Sequence, residues 1–229
     1  MSEGAGGETP EQFLESGASV LARLQRGLET LYRVQTQLDV DAFMVGEDQR
    51  DQALGRERRR PREQLLVSQS GQELSLGLFL DEKALANLQR HDPAGGLSEN
   101  NFWDFCLAVE GVSHFIYVAL CAARDRSVTA LELELQAEVD KFVSCTLLRG
   151  ERDTSDLRER LFERVLWAHD LDADERARYR VANDEARRYS RSLDRRYLSH
   201  GRVDDMLDEL RRFYRLGLQE KLQHIAQAA

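Results

Sequence analysis

Lysine is nearly missing from this chain. It occurs only at Lys83, Lys141 and Lys221, so arginine supplies almost all of the 32 basic residues. GC-rich codon usage accounts for such a bias without any function. Where function drives it, planar guanidinium forks suit carboxylates and phosphates better than ammonium groups do. Proline is also scarce, with 3 in 229 residues beside 15 glycines. So little punctuation argues against a many-stranded sandwich and for long helices. The cysteines are Cys106, Cys121 and Cys145. Their number is odd, they form no CxxC, and all lie in apolar helical stretches. Cys106 and Cys121 would sit on one helix about 22 Å apart at ~1.5 Å per residue, too far to bridge. Buried thiols in a reducing compartment follow, and hence a cytoplasmic location.

Other absences narrow the function. The first residues, Met1 to Glu8, are acidic and small and lack the basic flank and apolar run of a signal peptide. No glycine-rich phosphate loop, Gly-x-Ser-x-Gly, His-Glu-x-x-His or Cys/His zinc spacing occurs. No Glu-x-x-His occurs either, which excludes the di-iron pattern of helical bundles. A net charge of -9 keeps the whole chain from coating nucleic acid. With 41% hydrophobic and 32% charged residues, disorder and a multi-span membrane protein both fit poorly.

What is present reads as a mainly α fold, a bundle of about six to seven helices with one β-hairpin over about 64–80. Residues 1–8 form a flexible tail, and 9–229 form one helical domain. Within it, 9–96 make an N-terminal helix plus hairpin and 97–229 a five-helix region. Thr9-Pro10-Glu11-Gln12 is a capped helix start. The stripe Phe13, Leu14, Val20, Leu21, Leu24, Leu28, Leu31 and Leu38 marks the buried face, with the helix extending towards Gly46. Residues 46–63 form a polar connection, with a basic run at 56–62. Leu74, Leu76, Leu78 and Leu80 then alternate with Ser75, Gly77 and Phe79, after a Ser70-Gly71 turn. A lone hairpin is marginal in water, so its leucine face must lie on helices. Asp81 caps a helix over 82–90. Five helices follow: from Ser98 or Asn100 to Arg124, from Ser127 to Leu148, 156–169, 172–199, and 203–226.

The segment Phe105 to Ala123 is the most apolar and is nearly long enough to span a bilayer. Glu110 and His114 near its middle would be costly in lipid, so it reads as a core helix and no membrane partner is expected. Glu110, His114, Tyr117 and Cys121 share one face of it. The short connection after it sets the next helix antiparallel, which brings Glu138 level with His114 and Glu134 near Tyr117. Glu110, His114 and Glu138 are therefore the candidate metal ligands, and with Tyr117 the candidate catalytic set. The structural reading stands beside it: a Glu–His pair one turn apart is a common stabilising contact. The apolar run Leu131, Leu135, Val139 and Phe142 would also turn Glu134 and Glu138 partly towards solvent.

Residues 176–196 hold eight arginines, and Arg180, Arg187, Arg188, Arg191 and Arg195 are the candidate residues for an acidic partner or an anion. Pairing with the chain's surplus acids is the simpler account of them. Asp204-Asp205-x-x-Asp208 superficially matches a magnesium–diphosphate pattern, but no second acidic cluster accompanies it, and first-turn acids complement a helix dipole anyway. The expectation is a non-enzymatic interaction or adaptor module with a protein partner, using the arginine helix and the hairpin edge and no cofactor. The alternatives are a helical bundle with a divalent metal or small molecule at the Glu/His site, and phosphate or nucleic-acid binding by the arginines.

Overall fold

The computed structural model describes residues 18–55, 60–71, 73–150, 154–165 and 170–228. Among them it has nine α-helices and one antiparallel hairpin: α1 (Val20–Tyr32), α2 (Glu47–Leu54), β1 (Glu63–Ser70), β2 (Glu73–Leu80), α3 (Glu82–Arg90), α4 (Phe102–Ala122), α5 (Ala130–Arg149), α6 (Ser155–Arg158), α7 (Ala173–Arg196), α8 (Val203–Tyr214) and α9 (Leu218–Ala228). This is a mainly α bundle with an appended hairpin. The 1–8 tail, the Thr9-Pro10 helix start, most of the 56–62 basic run and the end of the expected 156–169 helix lie outside the described residues.

α4 is the pillar. It is apolar almost all round, so one stripe cannot satisfy it, and α1, α3, α5 and both strands pack on it. It is the one described helix long and apolar enough to cross a membrane, and 78% of its most apolar window is buried in the bundle. α5 runs back antiparallel after the tight turn at 123–129 and in turn carries α7. Cys106 and Cys145 meet across the α4–α5 seam with sulfurs 3.9 Å apart.

Three local readings are corrected. The first helix stops at Tyr32 instead of continuing towards Gly46. Arg33 turns left-handed (φ 50), and Gln25 draws the chain back by accepting from the Val40 amide and donating to the Leu38 carbonyl. The polar connection contains α2, whose Arg50 is buried with its guanidinium 4.1 Å above the Phe79 ring. The last helix is two helices, α8 and α9, broken at 215–217. There the Gly217 amide donates to Glu220, which starts α9. Arg211 and Arg215 at the end of α8 donate to the Leu31 and Tyr32 carbonyls, closing the C-terminus of α1.

The hairpin register runs from Glu63↔Leu80 to Ser70↔Glu73, with Gly71 at φ 62 in the turn. Its base is covered on both faces. Leu78 and Leu80 face the helices, and Phe79 on the opposite face is also buried, under Arg50. Val45 crosses β2 so closely that a Cβ at Gly77 would lie 2.9 Å from it, and the Val45 amide donates to the Leu78 carbonyl. A parallel bridge, Met44↔Leu78, thus flanks β2 on its outer side, while the outer edge of β1 has no strand neighbour among the described residues.

Candidate functional site

The open edge of β1 forms one wall of a cleft of about 480 Å³. Arg62, Glu63, Gln64 and Leu65 line it in succession. Neighbouring strand residues point to opposite faces, so a wall made of consecutive residues is the strand's edge. The floor is one face of α4, with Leu107, Glu110 and His114. The far wall is the first turns of α5 and α7, with Leu133, Glu134, Arg178 and Tyr179. The hairpin edge and the first turns of the arginine helix therefore face each other across a gap, but none of the candidate arginines 180, 187, 188, 191 and 195 lines it.

A row of ionisable groups crosses this floor. Glu63 Oε1 lies 3.6 Å from His114 Nδ1, and Glu134 Oε2 lies 3.8 Å from His114 Nε2. Glu134 Oε1 is then 3.8 Å from Arg178 Nε. Every gap is within ion-pair range and too long for a hydrogen bond. Accordingly Glu63 Oε1, His114 Nε2 and Arg178 Nε are buried without a hydrogen-bond partner among the described residues. Glycine permits this row. A Cβ on Gly111 would lie 3.1 Å from Glu63 Cγ and 3.0 Å from Leu78 Cδ1, so any larger residue would push these two side chains aside.

Burial works against a charged His114. The Glu63 carboxylate, with Glu134 and Glu110 behind it, outweighs that and holds the imidazole up at about 9. Burial pushes Glu134 up to about 7, with His114 pulling it back and Glu110 and Glu63 raising it. Glu63 is also raised, chiefly by burial. His114 is therefore expected to remain an imidazolium at pH 8 in an NMR titration, and Glu63→Gln to lower its midpoint by about 1–3 units. In stability, a histidine raised in the folded state contributes fully below ~6.5 and loses that contribution as pH climbs through 9. A midpoint unmoved by Glu63→Gln would show that Glu63 does not hold the charge.

The structure places the expected metal ligands differently. Glu138 is level with His114, as counted, but its carboxylate faces Lys141, whose ammonium lies 2.7 Å from Glu138 and 2.9 Å from Glu110. The two carboxylates raise Lys141 well above the usual ammonium range against the opposing effect of burial. Among the described residues no three His, Cys, Asp or Glu side chains gather closely enough to hold a metal ion. Glu134 and Glu138 do not turn to solvent, as their side chains are only 12% and 18% exposed. Glu134 meets His114, and Tyr117 instead donates to Glu132 (2.7 Å), which also binds Arg126 (2.7 Å). Tyr117 thus belongs to a separate buried centre. The Asp205 and Asp208 carboxylates are held by Arg202 and Arg211.

Most arginines of α7 have acids. Arg187 pairs with Asp184, Arg188 with Glu185, Arg191 with Glu163, and Arg196 approaches Glu209. Arg195 donates to the Ala228 carbonyl. Arg180 is exposed.

The second centre escaped sequence reasoning. Asp140 of α5 accepts from Tyr32 and Ser113 (2.5 Å) and from Gln136 (2.8 Å). Gln136 accepts in turn from Lys221 of α9, which is fully buried among the rings of Tyr117 (4.6 Å), Phe213 (4.8 Å) and Tyr214 (5.8 Å). Four helices are stitched by this network. It is sealed from the cleft, and its role is in the fold.

Compared with known proteins, the chain matches no family model, no curated protein and no solved structure. The side chains of the cleft carry the functional assignment alone.

Proposed function

We propose that the protein is a non-enzymatic interaction module of an intracellular system, and that the cleft receives an extended segment of a protein partner alongside β1. The observation that carries this is the cleft's architecture. A strand edge with no strand neighbour among the described residues faces a preformed groove, and strand addition supplies main-chain hydrogen bonds while the groove reads side chains. An uncovered edge is otherwise a liability that folds tend to blunt. Val67, 51% exposed at the outer end of that wall, extends the apolar surface of the edge. The experiment places a photo-crosslinking residue at Val67 and, separately, at Leu133 on the opposite wall. Crosslinks to the same polypeptide from both positions are expected. A crosslink from neither position would overturn the reading.

A second reading has its own support. A carboxyl held at about 7 beside an imidazolium suits acid–base work on a small molecule in the same cleft. It expects a co-purifying small molecule or divalent ion that His114→Ala releases. Phosphate or nucleic-acid binding by α7 has less behind it, because its arginines are largely engaged by acids, and it expects retention on nucleic acid that falls steeply with salt.

A further inference from the structure

Resting on the docking reading, we infer that the docked segment is an uncharged strand of alternating aliphatic residues, paired through the main-chain groups of Leu65 and Val67. Three observations lead there. The first is the phase of the hairpin ladder. The Asp81 amide donates to the Arg62 carbonyl (2.7 Å), one step beyond the Glu63↔Leu80 pair, so Arg62 and Asp81 are a hydrogen-bonded pair. Such pairs alternate along an antiparallel ladder. Gln64 and Leu66 therefore direct their main-chain groups to β2, while Glu63, Leu65 and Val67 direct theirs to the open edge. The outer side of β2 keeps the same phase, since its Leu78 carbonyl accepts from the Val45 amide. On the β1 side the Leu65 carbonyl accepts a 3.3 Å bond from the neighbouring Gln64 side chain. Among the described residues no backbone hydrogen bond joins Leu65 or Val67 to a further segment.

The second observation is what an added strand would meet. Leu65 and Val67 stand opposite Leu78 and Leu76, on the face turned to the helices. Directly opposite residues of neighbouring strands share a face whichever way the strands run. Occupant residues opposite Leu65 and Val67 thus turn towards α4 and α5, and the residues between them turn away. Leu65, Leu107 and Leu133 are only partly buried and Val67 is exposed, so three elements leave aliphatic surface in the cleft. Covering such surface is the main favourable contribution to association.

The third is charge. Glu63 and Glu134 face His114, and Glu134 also faces Arg178. Lys141 answers Glu110, Asp81 and Asp104 engage Arg62, and Asp51 engages Arg60. Asp170 and Glu175 have partners of their own. A charged side chain entering here would lose its hydration without meeting an unanswered opposite charge. An uncharged one complements a cleft whose charges are matched internally.

The test uses the full chain and capped seven-residue peptides of alternating threonine and valine, with the central valine kept or replaced by lysine or glutamate. Binding is followed by anisotropy and by amide hydrogen exchange. The parent peptide is expected to bind at least about tenfold more tightly than either charged peptide. At saturation it should slow exchange of the Leu65 and Val67 amides at least about tenfold and leave that of Leu66, already bonded to β2, little changed. Methylating the amide nitrogens of the valines in one peptide, and of the threonines in another, should abolish binding in one case only, because a strand offers alternate amides to each edge. Val67→Pro removes an outward amide and spares the ladder to β2, and is expected to weaken the parent peptide at least about tenfold. Binding of a charged peptide, or of both methylated peptides, as tight as that of the parent overturns the inference and leaves the docking reading standing. If no peptide protects Leu65 and Val67, the inference is overturned, and the crosslinks from Val67 and Leu133 judge the docking reading separately.

Discussion

Asp140→Ala is expected to lower the stability of the fold by about 3–5 kcal/mol, the scale seen when one partner of a buried charged network is removed. The carboxylate is 1% exposed and serves three donors from three helices, Tyr32, Ser113 and Gln136. Alanine would leave the Tyr32 and Ser113 hydroxyls without this acceptor and the Gln136 amide with only its 3.3 Å bond to the Tyr32 hydroxyl, all in a buried site. It would also take away a negative charge that favours the Lys221 ammonium. Chemical denaturation reads the effect as a lower midpoint with an unchanged slope. Asp140→Asn keeps an acceptor and the shape, and should lose clearly less. Equal losses in the two variants would show that shape, and not the acceptor, matters at this position.

Lys221→Met should remove a rise of stability with pH. Burial pushes the Lys221 ammonium down to about 7 despite the pull of Glu132 and Asp140. The unfolded chain holds that proton up to ~10.4. Below 7 the lysine is charged in both states, and the full cost of burying it is present. Between 7 and about 10 the folded protein has shed the proton, so the cost falls away as pH rises. Methionine, similar in length and apolar, has no such dependence. The stability difference between wild type and variant should therefore move in favour of wild type by about 3–4 kcal/mol from pH 7 to pH 10, at ~1.36 kcal/mol per pH unit. His114 drives stability the other way over much of the same window, but it is present in both proteins and cancels in the difference. A difference that stays flat with pH would mean that Lys221 remains charged in the folded state.

These two residues also show where sequence reading reached and where it stopped. The hairpin, the Asp81 cap and the antiparallel return of α5 were legible, because each has a local cause: alternation, a cap oxygen, a short connection; the turn lies one residue later than expected, since Ser70 still pairs with Glu73 and Gly71 opens the turn. The level of contacts across α4 and α5 was legible too. Cys106 meets Cys145, Glu110 meets Lys141, and Ser113 meets Asp140. Rotation about the α5 axis was not. It decides that Glu132 and not Glu134 reaches Tyr117, and that Lys141 stands between Glu110 and Glu138. That rotation is set by α7 packing on the far side of α5, far along the chain. Glu63 was missed because nothing near it in sequence marks it. The hairpin's landing on Gly111 delivers it to His114. One compositional signal was readable and went unused. In a chain that uses arginine by default, Lys221 is fully buried and Lys141 is half-buried between two carboxylates.

The last two carbonyls of α1 are closed by arginines 180 and 183 residues further along. During synthesis, then, the first helix leaves the ribosome with an unfinished end and waits for α8 to arrive. Contacts that span so much of the chain form late and slowly. A nascent chain stalled before Arg211 would hold an α1 whose last turn frays, even with α4 already covered by α3, α5 and both strands.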